Sequence, residues 1–104
     1  MTDKIFEEIR AERQRQDEKF GEQNHPMLGL PFTQKYMQKL LESSAEKFEE
    51  HNAESQYKSW YSILEEEICE AFAETKPEKQ RKEMIQVAAV AVAIIEYLDR
   101  RMVQ

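Results

Sequence analysis

Nine consecutive apolar residues, Val87-Ala88-Ala89-Val90-Ala91-Val92-Ala93-Ile94-Ile95, constrain this chain more than any other segment. A bilayer span needs ~20 such residues, so the run is too short to cross a membrane and has to be buried in protein. Wound as a helix it is apolar on every side, which is costly in a small bundle that leaves one face in water. The expectation is burial against a partner subunit, in a homodimer or homotetramer.

What surrounds the run must therefore be helical. Two glycines and three prolines in 104 residues supply too few turns for a many-stranded fold. That length suits one domain, residues 1–104, with a single modest core. Ile5, Phe6, Ile9, Arg13, Gln16 and Phe20 share one face of a first helix from Asp3 to about Phe20. The breakers Gly21, Asn24, Pro26, Gly29 and Pro31 predict a loop. Thr33 then caps a second helix to about His51, carrying Tyr36, Met37, Leu40, Leu41 and Phe48. After a break near Asn52, a third helix with Tyr57, Trp60, Tyr61, Ile63, Leu64, Ile68, Ala71 and Phe72 extends to about Glu74. Thr75 and Glu78 have capping-box spacing around Pro77 and open a fourth helix, to about Met102. The fold class expected is all-α, a four-helix bundle completed by oligomerisation.

Composition removes several functions. Twenty-one acidic against 15 basic residues, a net charge of −6, argue against a protein that tracks a nucleic-acid polymer by neutralising phosphates. Cys69 is the sole cysteine, so no intrachain disulfide framework exists, and the two histidines lack structural-zinc spacing. Met1 to Arg10 alternates charges and resembles neither a signal nor a transit peptide. The expected location is cytoplasmic, with no membrane partner.

The carboxylates carry the chemistry. At ~100° per residue Glu67 falls inside the arc of Trp60, Ile63, Leu64 and Ala71, with Glu70 at its edge. Glu83 lies on the stripe of Val87, Val90, Ile94 and Leu98, and Gln86 follows one turn later. A carboxylate facing a core is expensive unless it is neutralised or binds a metal. If the third and fourth helices pack as antiparallel neighbours across Thr75–Glu78, Glu67 and Glu70 approach Glu83 and Gln86. Such an all-oxygen site suits Mg²⁺ or Mn²⁺. The plainer reading is a solvated glutamate-rich face.

Glu66-Glu67-Ile68-Cys69-Glu70 followed by Glu83-Met84-Ile85-Gln86 resembles the EExxE…ExxD signature of the MazG-like all-α nucleoside triphosphate pyrophosphatases. Glu18 to His25, Trp60 to Glu70 and Gln86 to Ala91 extend the likeness to a small single-domain branch, over roughly residues 12 to 98. Gln86 stands where that family has an aspartate. It offers a neutral oxygen but no fourth negative charge. The resemblance implies metal ligation by Glu67, Glu70 and Glu83, with Glu66 orienting or activating water. It also implies attack of that water on the α-phosphorus of a nucleoside triphosphate, giving monophosphate and pyrophosphate.

Other residues could hold the nucleotide. Arg13, Lys19, Arg81 and Lys82 are candidate phosphate ligands, and Lys19 adjoins the family-like loop. Gln16, Asn24 and His25 are candidates for base or ribose, with Phe20 or Trp60 as an apolar wall. Most surface cations do nothing so specific, and Trp60 suits a core. Glu22-x-x-His25 is a single copy in a loop and a poor match to di-iron bundles. Cys69 reads as a small core residue. Two rival readings are a non-catalytic nucleotide-binding or regulatory module, through Gln86, and a purely structural helical protein.

Overall fold

The computed structural model describes residues 2–29, 31–54 and 56–103, with the backbone alone for 31–33. Four helices, α1 (Thr2–Phe20), α2 (Pro31–Ala53), α3 (Trp60–Ala73) and α4 (Pro77–Met102), make the fold all-α, with no strand among the described residues. No helix among them is long and apolar enough to cross a membrane. The packing divides into two units, Met27–Ala91 and Met1–Pro26 with Val92–Gln104.

In the unit holding α1, alternating charges sustain the helix through local pairs. Arg13 bonds Asp17 at 2.8 Å and Arg15 pairs with Glu12. Gly21 ends it at φ 65°, a left-handed conformation that favours glycine, its N–H donating to the Asp17 carbonyl at 2.8 Å. Ile5 and Val92 are the buried residues here, and Thr2 donates to the Glu96 carboxylate at 2.6 Å. The expected stripe is only partly covered, since Phe6, Ile9 and Phe20 are exposed.

In the other unit α2 packs against α3. Pro31 opens α2 instead of closing the loop, as a first-turn residue needs no N–H donor. Thr33 is thus inside the helix, and its side chain lies outside the described residues. The covered stripe of α2 is Met37, Leu41, Ala45, Phe48 and Asn52, while Tyr36 and Leu40 are exposed. Between Trp60 and Glu74 only Tyr61 is exposed, which makes α3 the central helix of this unit.

Two boundaries differ from the sequence expectation. The third helix starts at Trp60, leaving Tyr57 exposed in the connection with its ring 5.5 Å from that of His51. Ser59 sets this start. Its extended backbone places the hydroxyl under the Ser62 N–H at 3.0 Å, while Ser62 Oγ accepts the Ser59 N–H at 2.9 Å. The fourth helix begins at Pro77, which stands in the first turn as expected, but the residue before it is Lys76, so Thr75 lies one position too early for a capping box with Glu78. The Glu74 carboxylate instead accepts N–H from Lys76 and Thr75, and these bonds hold its carboxyl below the ordinary value. The Gln80 amide donates to the Ala71 and Glu74 carbonyls, both at 3.1 Å, and stitches α4 onto the end of α3.

Candidate metal centre

Because α3 is covered on most sides, its glutamates cannot all turn to water. Glu66, Glu67 and Glu70 are half-buried, and each offers a carboxylate oxygen within 4.8 Å of the other two. Glu83, near the start of α4, is half-buried as well. One oxygen of Glu67 and one of Glu83, Oε2 in both, are buried with no hydrogen-bond partner. No lysine or arginine pairs with these four carboxylates among the described residues, whose ion pairs both lie within α1.

Their protonation records the strain. Burial, then the Glu66 and Glu83 charges, raise the Glu67 carboxyl above its ordinary value. Burial, then Glu67, Glu66, Glu83 and Glu49, push Glu70 up to about 7. Carboxylates gathered this closely must take up protons or a cation. The donor set is all oxygen, negatively charged, and includes two orphaned buried atoms, which fits a hard divalent ion such as Mg²⁺ or Mn²⁺.

Two open clefts flank the cluster. One of about 470 Å³ is lined by Glu42, Glu46 and Glu49 of α2 together with Glu70, Glu74 and Glu83. The other, about 410 Å³, is lined by Glu49, Asn52, Lys58, Glu66 and Glu67 among others. Glu49 lines both. An anionic polyphosphate is repelled by such walls unless cations arrive with it, so the clefts favour metal-complexed ligands over free anions.

Glu66, Glu67 and Glu70 come together and Glu83 acts on the latter two, whereas Gln86, one turn further along α4, is exposed. Arg81 and Lys82 are exposed on α4. In the α1 unit Arg13 donates to Gln16 Oε1 at 2.7 Å, and Lys19 sits 5.2 Å from the Phe20 ring centroid. Asn24 donates to Glu22 at 3.1 Å, and a His25 ring nitrogen is 3.0 Å from Gln23 Oε1. Cys69 is a buried free thiol, raised above its ordinary pKa by burial and then by Glu65 and Glu70, in keeping with a core residue.

Sequence reasoning missed Asn52, Ser62 and Glu49. Asn52 does continue the Met37–Leu41–Phe48 stripe at helical spacing, and Glu42, Glu46 and Glu49 recur one turn apart, so both signals were present. No family model, curated protein or solved structure matches this chain, and the functional reading rests on the residues themselves.

Proposed function

We propose that this chain is a Mg²⁺-dependent nucleoside triphosphate pyrophosphohydrolase of MazG-like character, working as a homodimer or homotetramer in the cytoplasm. The observation that supports it most is the pair of buried, unpartnered Oε2 atoms of Glu67 and Glu83 beside the Glu66–Glu67–Glu70 cluster. Glu67, Glu70 and Glu83 would hold the ions, with Mn²⁺ as a substitute. Bound there, divalent ions supply charge neutralisation for the triphosphate and a lowered pKa for water.

The chain's own residues supply the rest. Glu66 orients the attacking water and accepts its proton. The oxygen of that water bonds to the α-phosphorus, and the α–β bridging oxygen leaves on pyrophosphate, so nucleoside monophosphate carries the new oxygen. Arg81 and Lys82, which precede Glu83 on α4, are the proposed phosphate ligands. The association of copies is supported by Ile85, Ala88, Ala89 and Ala91 of α4, all exposed.

Hydrolysis in ¹⁸O-labelled water tests the chemistry. Label in the monophosphate agrees with attack at the α-phosphorus; label in pyrophosphate or release of inorganic phosphate contradicts it. The exposed Gln86, lacking the fourth charge, favours a second reading, a nucleotide-binding or regulatory module without turnover. That reading predicts metal-dependent nucleotide binding and no labelled product.

A further inference from the structure

The three clustered glutamates of α3 are not equally held. Glu67 leaves an oxygen with no partner, whereas Glu66 Oε1 accepts a hydrogen bond from the Asn52 amide at 3.0 Å, across from the end of α2. The same amide nitrogen donates to the Ser62 carbonyl at 3.0 Å, and Asn52 Oδ1 accepts the Ser62 hydroxyl at 2.6 Å. Both partners of the nitrogen are obligate acceptors, so the amide cannot flip without facing oxygen to oxygen. Ser62 is 3% exposed and is itself locked into the first turn of α3 by Ser59. The Asn52 orientation is therefore fixed from behind by a buried group.

We propose that Asn52 is a positioning residue for the metal centre: its amide stops rotation of the Glu66 carboxylate and presets that group against Glu67 and Glu70. The assignment rests on the metal-site reading above. A neutral donor suits the task, because a lysine or arginine here would cancel charge that the cation needs, and an aspartate would repel Glu66. Glu66 offers an oxygen within 4.8 Å of those of Glu67 and Glu70, so in this assignment it shares the cation as well as orienting water, and it is anchored by the protein while Glu67 and Glu83 keep free oxygens. Partners of this kind ordinarily change metal affinity by about 10- to 100-fold when removed.

The test uses the full chain and Mn²⁺, whose free ion gives a six-line electron paramagnetic resonance signal that disappears on binding. Affinities are compared for wild type, Asn52→Ala, Asn52→Leu, Glu66→Gln, Asn52→Ala/Glu66→Gln and Glu67→Gln, with circular dichroism melts for each. Asn52→Leu keeps the side-chain bulk and carries the test should the alanine variant not fold. The expected result is about tenfold weaker binding for either Asn52 variant, and no further loss when Asn52→Ala is added to Glu66→Gln, since Asn52 acts through that carboxylate. Wild-type affinity in Asn52→Leu, or losses that multiply in the double variant, overturns the positioning role while a defect in Glu67→Gln keeps the metal site. Equal binding by wild type and Glu67→Gln, or no binding by wild type, removes the metal reading and this assignment with it.

Discussion

Glu67 on α3 and Glu83 on α4 each bury one carboxylate oxygen without a hydrogen-bond partner, and the Glu83 charge helps raise the Glu67 carboxyl above its ordinary value. Two like charges held in this way oppose folding unless something cationic joins them. The metal-free protein is the strained form.

Glu67→Gln should stabilise the metal-free protein. The amide has the carboxylate's shape and removes one of the charges that burial and its neighbours disfavour. In urea titrations at pH 8 with chelator present, the midpoint rises by the equivalent of about 1 kcal/mol, the usual trade of function for stability. An unchanged or lower midpoint contradicts the strain.

Divalent metal should act unequally on the two proteins. An ion that binds only the folded state at a hundred times its Kd adds about 2.7 kcal/mol. Wild-type melting temperature therefore climbs by several degrees on adding Mg²⁺ or Mn²⁺, and Glu67→Gln responds weakly. Calorimetry in matched ionic strength separates this from general screening, because a monovalent salt control does not reproduce the shift.

The pH dependence without metal has a definite sign. Glu70 titrates near 4.5 when unfolded and at about 7 when folded, and Glu67 is raised in the same direction. The folded state binds more protons in this window, so this contribution is fully present below 4.5 and is lost as pH rises through 7. Melting temperature in chelator should fall between pH 5 and pH 8, roughly the span these groups titrate over. Saturating Mg²⁺ should flatten the upper part of that fall.

Self-association has its own variant. Ala89 lies within the apolar run and is exposed, and arginine there places like charges against each other in any symmetric contact. Sedimentation velocity on Ala89→Arg should show the assembly weakened by about tenfold or more, with the helix content of the chain retained. A wild type that sediments as a monomer at every concentration contradicts the oligomer.

The sequence announced the helices more clearly than their ends. Periodicity and scarce turn residues were enough for all four, and core-facing phase singled out Glu67 and Glu83. The start of α3 was missed because it depends on a serine-to-serine capping box, Ser59 with Ser62, where the familiar pattern has a glutamate at the third position. Thr75–Glu78 has that familiar pattern and yet does not cap, since Pro77 opens the helix and Glu74 takes the free N–H groups. Glu66 was named as a candidate only through the family resemblance, and its bond to Asn52 was not legible at all: the two are 14 residues apart and meet because α2 packs on α3. Phase arguments also assume a helix with one wet face, and α3 has almost none.

The most direct measurement is pyrophosphate release from a panel of ribo- and deoxyribonucleoside triphosphates, with and without Mg²⁺, for wild type and Glu67→Gln. The account predicts metal-dependent release of pyrophosphate and monophosphate by wild type, reduced by about a thousandfold or more in Glu67→Gln although that variant folds. Release that survives chelation or the Glu67→Gln change, or no release from any triphosphate while Mg²⁺ still binds, would contradict it.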